Sequence, residues 1–210
     1  MWSSSRIKNE RSIFFGPIDY ISNNVMLCCV DMPSQLAKIL LTGQPGCGKT
    51  TAVMKIISNL DPKKITGFYT QEIRLNNVRK GFRWKRLDGA EGTLAHIDIK
   101  GRFKVGKYGV DVEGFDKNVV PVLDIEQADA KLFVIDEIGK MECFSKKFTA
   151  AICELFKSDK SVLATVAKKG PGLISEIKNY PNIQLFNMTT ANREKIVNEI
   201  QQILSFLRRV

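Results

Sequence analysis

The chain has few of the residues that build metal centres and disulfide frameworks. It contains one histidine, His96, and five cysteines, none of them in a C-x-x-C spacing. A structural zinc site needs a cluster of such ligands, so the sequence argues against one. The odd number of cysteines without regular spacing indicates free thiols in a reducing compartment, and we expect a cytoplasmic protein.

Long apolar runs are also missing. No run approaches the roughly 18 residues that a membrane helix needs. The Ser-rich, basic start of the chain is not followed by an apolar segment of signal-peptide length. We therefore expect a protein that neither spans a membrane nor is secreted. The 210 residues, with an apolar fraction of 44%, fit one α/β domain with a possible small insertion.

Positive charge is in excess. The formal net charge is +10, and the segment from Arg74 to Lys107 holds ten Lys or Arg residues against three Asp or Glu residues. Such a segment can bind nucleic acid, an anionic membrane or a nucleotide, and it can equally be a solvated face. Aromatic residues within or near the segment could stack on single-stranded nucleic acid, but we favour packing onto the core. They are Phe68, Tyr69, Phe82 and Trp84.

The first 34 residues differ from the rest because they show no clear helix or strand period. We interpret residues 1–34 as an N-terminal extension that is poorly ordered or loosely packed. Translation starting at Met26 or Met32 is an alternative, since a compact domain could begin at Gln35. Residues 35–210 then form the single folded domain.

From residue 37 onward, apolar strands alternate with amphipathic helices, which indicates an α/β fold with a mainly parallel sheet flanked by helices. We predict such strands at 37–42, 132–136, 161–167 and 183–187, and helices at 49–60, 146–157, 173–178 and 191–209. The apolar face of the last helix indicates core packing without a partner interface, so we expect a monomer.

The middle of the chain has a different pattern. Strand patterns at 65–74, 80–87 and 92–99 are joined by an Asn76-Asn77 turn and an Asp88-Gly89 turn. We therefore predict an antiparallel hairpin insertion over about 65–112. The Gly-interrupted stretch 104–112 is either a loop or an edge strand.

One motif dominates the sequence. Residues 43–50 read GQPGCGKT, which satisfies the phosphate-loop pattern G-x-x-x-x-G-K-[ST] between a predicted strand and a predicted helix. Gly43, Gly46 and Gly48 would let successive N–H groups point inward at an anion. Lys49 would reach the β- and γ-phosphates, and the Thr50 hydroxyl would ligate Mg²⁺. The predicted phosphate-binding residues are Gly43, Gln44, Pro45, Gly46, Cys47, Gly48, Lys49, Thr50 and Thr51.

A pair of carboxylates, Asp136 and Glu137, directly follows the apolar run of residues 132–135. The carboxyl end of a parallel strand is where an α/β sheet binds its ligand. We predict that Asp136 holds Mg²⁺ with Thr50, and that Glu137 is the general base for the attacking water. Alone, the pair could be an acidic helix cap. Thr165, at the end of the next strand, could contact the γ-phosphate or simply fill the strand end.

Four segments together are specific enough to indicate a family. They read GQPGCGKTT, GFYTQEIR, VGKYGVDVEGF and IDEIGKME, and Asn192-Arg193 before the last helix adds a weaker match. With them the chain resembles the small nucleoside-triphosphatases of the THEP type. The sequence departs from the usual family pattern at Gln71, where an acid is common, and in the extension before residue 35.

The resemblance implies a fold and an activity. The fold would be a P-loop core, RecA-like or kinase-like. The activity would be slow, Mg²⁺-dependent hydrolysis of ATP, GTP, CTP and UTP, with broad base specificity, to a nucleoside diphosphate and phosphate. Lys49, Asp136 and Glu137 would be the catalytic residues.

Phosphoryl transfer also needs positive charge near the γ-phosphate. Lys107 ranks first because it lies in a Gly-rich family segment, and Arg74 is the next candidate; either could be a surface charge only. Asn192 and Arg193 could bind the base, whereas the alternative for Asn192 is a cap on the last helix. Arg79, Lys140 and Arg193 are further candidates for the charge.

Two other functions stay open. One is a kinase that passes the γ-phosphate to a nucleoside or a nucleic-acid end, against which Glu137 and the lack of an Arg-rich lid argue. The other is a nucleotide-gated nucleic-acid-binding module that uses the basic hairpin. We favour hydrolysis, with nucleoside triphosphates as the binding partners.

Overall fold

The computed structural model describes residues 36–208, which form one nine-stranded sheet with helices on both faces. The strands are β1 (Lys38–Gly43), β2 (Ile65–Leu75), β3 (Val78–Arg86), β4 (Glu91–His96), β5 (Lys104–Val105), β6 (Tyr108–Val110), β7 (Leu132–Ile138), β8 (Ser161–Val166) and β9 (Ile183–Met188). The helices are α1 (Lys49–Ile57), α2 (Val112–Asn118), α3 (Lys146–Lys157), α4 (Leu173–Glu176) and α5 (Arg193–Ile203). The strand order is β5-β6-β4-β3-β2-β7-β8-β1-β9.

The parallel half of the sheet consists of β2, β7, β8, β1 and β9. Strands β1 and β8 are buried along their whole length, as continuous apolar runs predict for strands covered on both faces. Helices α1 and α5 pack on one face, and α2, α3 and α4 on the other. This confirms the predicted fold class.

The antiparallel half continues the same sheet through β3, β4, β6 and β5. Strand β2 joins the two halves, because its first residues pair with β7 and residues from Phe68 onward pair with β3. Asn76 and Asn77 both have positive φ, 49° and 61°, which a two-residue hairpin turn with the right twist requires. The stretch 104–112 is predicted to be either a loop or an edge strand, and it includes the edge strand β5.

Two predicted helix ends are wrong. Helix α1 ends at Ile57 and not at residue 60, and α5 ends at Ile203 and not at residue 209. After α5 the chain turns through Ser205–Leu207, which buries Leu207 completely, and the Leu207 carbonyl accepts a hydrogen bond from the Asp61 N–H at 3.0 Å. Burial of Leu207 against the end of α1 therefore competes with continuation of α5.

Helix α2 is not among the helices that the sequence predicts. The Asp111 side chain caps it by accepting a hydrogen bond from the Gly114 N–H at 2.9 Å, and Phe115 is its buried anchor. Among residues 36–208, no helix combines the length and hydrophobicity that crossing a bilayer requires. The predictions for residues 1–34, including the alternative starts and two of the five cysteines, lie outside the described residues. Cys47, Cys143 and Cys153 are free thiols.

Candidate active site at the phosphate loop

The phosphate loop connects the end of β1 to the start of α1, as its sequence predicts. Gly46 and Gly48 have φ values of 79° and 92°, in the region that favours glycine. Gly43 does not have positive φ, so the reason predicted for it is wrong. A Cβ atom there would lie 2.4 Å from the Met188 carbonyl oxygen, so Gly43 is needed for the close approach of β9.

The cationic and hydroxyl side chains at the start of α1 face the end of β7. The Lys49 ammonium lies 3.8 Å from a Glu137 carboxylate oxygen, and the Lys49 side chain is only 10% exposed. The Thr50 hydroxyl lies close enough to Asp136 to favour its ionised form. The fold therefore brings both halves of the predicted site together.

Asp136 is 1% exposed at the carboxyl end of β7. Its Oδ1 atom accepts a hydrogen bond of 2.5 Å from the Thr165 hydroxyl of β8. Burial raises the pKa of Asp136 above its ordinary value, while Thr165, Thr50 and Lys49 act against that rise. Thr165 is itself completely buried, so the structure assigns it to orienting Asp136.

The Oδ2 atom of Asp136 is buried and has no hydrogen-bond partner among the described residues. A buried carboxylate oxygen without a partner is costly, and a cation would satisfy it. A carboxylate and a hydroxyl are oxygen ligands of the kind that Mg²⁺ takes, usually together with phosphate oxygens and water. The residues Asp136 and Thr50 thus fit a nucleotide-bound Mg²⁺ ion.

Glu137 lies next to this pocket with a side chain that is 31% exposed. Burial, and then the neighbouring Asp136 carboxylate, raise the pKa of Glu137, whereas Lys49 and Lys178 lower it. A carboxylate with increased proton affinity is suited to take a proton from water. Glu137 is therefore both accessible and chemically suited to be a base.

Two clefts flank the phosphate loop. The larger, about 680 Å³, extends from the loop to the β2–β3 hairpin, and the smaller, about 460 Å³, extends to the segment after β8. Residues of the larger cleft are Pro45, Gly46, Gly48, Lys49, Thr50, Thr51, Thr70, Gln71, Glu72, Arg74, Arg79, Phe82 and Glu137. Residues of the smaller cleft are Gly43, Gln44, Pro45, Lys49, Glu137, Ala167, Lys168 and Lys169.

The two predicted charge stabilisers have different positions. Arg74 lines the larger cleft, with its Nε atom donating a hydrogen bond of 2.7 Å to Glu72. Lys107 is exposed in the β5–β6 turn, where its ammonium lies 5.6 Å from the centre of the Tyr108 ring, and it lines neither cleft. The geometry thus favours Arg74 over Lys107.

Arg193, at the start of α5, packs against the phosphate loop. A Cβ atom on Gly48 would lie 2.8 Å from its Nη1 atom. Asn192 makes no side-chain cap on α5, so the capping alternative is wrong. Its amide instead braces the preceding loop, because Oδ1 accepts from the Thr189 N–H at 2.7 Å and Nδ2 donates to the Asn187 carbonyl at 3.1 Å.

Two residues near the site, Lys178 and Glu142, are not among the predicted site residues. The Lys178 ammonium donates to the carbonyls of Ala167 and Lys168, at 2.8 and 2.9 Å, and so holds the wall of the smaller cleft. Glu142 is buried close to the two site carboxylates, and burial raises its pKa to about 8. Only its place in the family-like IDEIGKME segment could have indicated it.

Comparison with known proteins identifies the family of this chain. A family model described as NTPase matches residues 38–201. The nucleoside-triphosphatase THEP1 of Thermotoga maritima is 39% identical over 171 residues, which cover 81% of this chain and 97% of that protein. The cancer-related nucleoside-triphosphatase homolog of Mus musculus is 33% identical over 185 residues, with coverages of 81% and 97%.

Solved structures show the same fold. The crystal structure of THEP1 from Aquifex aeolicus has a TM-score of 0.73 at 37% identity and covers 82% of this chain and 99% of its own. The solution structure of a human cancer-related nucleoside triphosphatase has a TM-score of 0.67 at 32% identity, with coverages of 82% and 100%. The chain, with its phosphate loop at the end of β1 and paired carboxylates at the end of β7, belongs to the nucleoside-triphosphatase family of P-loop enzymes.

Proposed function

We propose that this nucleoside-triphosphatase works with Mg²⁺, accepts all four common nucleoside triphosphates and uses Lys49, Asp136 and Glu137 as catalytic residues. The observation that supports this proposal most is the buried Asp136 carboxylate close to Thr50, whose Oδ2 atom has no hydrogen-bond partner within residues 36–208. When bound, Mg²⁺ would neutralise phosphate charge.

The protein residues divide the remaining work. The loop N–H groups between Gly43 and Thr51 bind the phosphates, and Lys49 adds a point charge at the β- and γ-phosphates. Glu137 accepts a proton from the attacking water while the water oxygen bonds to the γ-phosphorus. The bond from the γ-phosphorus to the bridging oxygen breaks, which releases nucleoside diphosphate and phosphate. Arg74 stabilises the charge that develops on the transferred group.

Base recognition would be loose. Arg193 packs on Gly48 of the loop, with Asn192 bracing the loop before it. A guanidinium plane stacks on any base, so contact through Arg193 would discriminate weakly among the four. Slow turnover, a monomeric state and a reducing cytoplasmic compartment complete the proposal; free thiols at the three described cysteines support the last.

Phosphate release tests this function. We would measure release from ATP, GTP, CTP and UTP with and without Mg²⁺ for the wild type, Lys49→Ala and the control Lys55→Ala. Lys55 lies on the same helix but is exposed and paired with Glu194. We expect Mg²⁺-dependent release from all four nucleotides, lost only in Lys49→Ala. Release that is independent of Mg²⁺, or restricted to one base, would contradict the proposal.

A further inference from the structure

The larger cleft continues past the phosphate loop to the β2–β3 hairpin, where Thr70, Gln71 and Glu72 of β2 and Phe82 of β3 line it. Water, the second reactant of hydrolysis, needs little of this space. The whole cleft, from the loop to the hairpin, measures about 680 Å³, which is within the range of small-molecule sites. Its hairpin end is lined by residues outside the phosphate loop, so a second ligand could lie there beside the phosphates of a nucleotide.

Two arginines face each other at this end of the cleft. Arg74 of β2 and Arg79 of β3 are register partners, and like charges that are directly opposite on paired strands repel. A single carboxylate, Glu72, makes ion pairs with both of them. Burial raises the pKa of Glu72, but hydrogen bonds from Arg74 and Arg79 outweigh it and lower the pKa below its ordinary value.

One positive charge is left over in this arrangement. The whole cleft likewise has three cationic side chains, Lys49, Arg74 and Arg79, against the carboxylates of Glu72 and Glu137. A surface network that served stability alone would gain from a second carboxylate. The composition instead fits an incoming anion.

Arg79 is the more available of the two arginines. Arg74 is also held by a hydrogen bond of 2.9 Å from its Nη1 atom to the Asn77 carbonyl. Within residues 36–208, the one ion-pair partner of Arg79 is Glu72. Its side chain is 42% exposed, and its guanidinium lies 5.4 Å from the centre of the Phe82 ring. An exposed ion pair contributes little, so a phosphate can take over the N–H groups of Arg79 at small cost.

We propose that the hairpin end of the larger cleft binds a second ligand, a nucleoside unit that carries a phosphate monoester, with Arg79 as its phosphate anchor. Phe82 provides apolar surface for the sugar or base, and Gln71 and Thr70 provide polar groups for the base edge. The proposal rests on the proposed function only in placing a nucleoside triphosphate at the phosphate loop.

Calorimetric titration of AMP into the full chain tests this site. The protein would first be saturated with Mg²⁺ and a non-hydrolysable triphosphate analogue, so that the phosphate loop is filled. Adenosine, which lacks the phosphate, and a 5′-phosphorylated dinucleotide would be titrated in parallel. The variant is Arg79→Met, which removes the charge but keeps a long side chain over Phe82. The control is Arg83→Ala, since Arg83 lies on the same strand but pairs with Glu91 outside the cleft.

We expect saturable AMP binding, no binding of adenosine, and at least about tenfold weaker binding in Arg79→Met with no change in Arg83→Ala. Tighter binding of the dinucleotide than of AMP would support the same site and would indicate that its ligand is the phosphorylated end of a nucleic acid. The proposal is overturned if AMP does not bind the saturated protein, or if the two variants weaken binding equally. Because binding is measured without turnover, the two tests are independent. Absence of phosphate release would not affect the AMP result, and absence of AMP binding would not affect the proposed hydrolysis.

Discussion

Strands β1 and β8 are buried along their whole length, whereas β3 in the antiparallel half alternates between exposed, half-buried and buried positions. The two halves also hold carboxylates differently. Asp136 and Glu142 in the parallel half are buried and have raised pKa values, while Glu72 on the hairpin is paired with arginines and has a lowered one. The parallel half thus holds buried carboxylates beside the phosphate loop, and the hairpin holds a carboxylate that is paired with partly exposed arginines.

The largest expected difference between the halves is in stability. Phe148 is fully buried, with ring centres of Phe68 and Phe115 at 6.1 and 5.4 Å. We expect Phe148→Ala to cost about 3–5 kcal/mol of unfolding free energy. Phe82→Ala on the hairpin should cost clearly less, because Phe82 is only partly buried. Urea unfolding of both variants checks this, and equal losses would remove the distinction.

Activity should depend most on the parallel half. Lys49→Ala removes the charge at the loop, and we expect phosphate release to fall by about 10²- to 10³-fold, as when one preorganised donor is lost. Steady-state assays at saturating Mg²⁺ check this, with unfolding curves to show that the fold is kept. A variant that retains most of its rate would show that the loop binds nucleotide without taking part in the reaction.

Glu142 should make stability depend on pH. Burial raises its pKa from 4.5 to about 8, with Glu137 and Asp136 adding to the rise. The resulting contribution to stability is complete below pH 4.5, falls as pH rises at up to about 1.4 kcal/mol per pH unit, and is lost once pH passes about 8. In Mg²⁺-free buffer, the stability of Glu142→Gln should fall less between pH 5 and 8 than that of the wild type. Parallel pH profiles would contradict this.

Arg74→Ala tests the charge supplied by the hairpin. We expect phosphate release to fall about tenfold, since Arg74 lines the cleft, while unfolding free energy changes by less than about 1 kcal/mol because its ion pair with Glu72 is half-exposed. Lys107→Ala is the comparison, and it should leave the rate nearly unchanged. The reverse order of effects would restore Lys107 as the charge stabiliser.

The smallest effect is expected at the hairpin turn. Asn77 has φ of 61°, which glycine adopts without strain. We expect Asn77→Gly to stabilise the protein by a few tenths of a kcal/mol, since Asn-Gly is the favoured pair in such turns. Thermal unfolding measures this, with Asn77→Ala as the destabilised counterpart.

Sequence patterns predicted the parallel half well, because its signals are local. The phosphate loop, the apolar runs of β1, β7 and β8 and the two carboxylates at the end of β7 can each be recognised without knowing the partner strands. What could not be predicted depends on register and packing. Arg79 reaches the cleft only because β3 pairs with β2 at Arg74, and Lys107 misses it because β5 and β6 lie at the sheet edge. The early end of α5 likewise depends on contact between Leu207 and Asp61.

The most direct test of the account is Glu137→Gln, assayed for both phosphate release and nucleotide affinity. The variant keeps the shape of the side chain but cannot accept the proton of water. We predict that phosphate release falls by about 10²- to 10⁴-fold while nucleotide still binds in the presence of Mg²⁺. Release at the wild-type rate would contradict the role of Glu137 as the base at the end of β7.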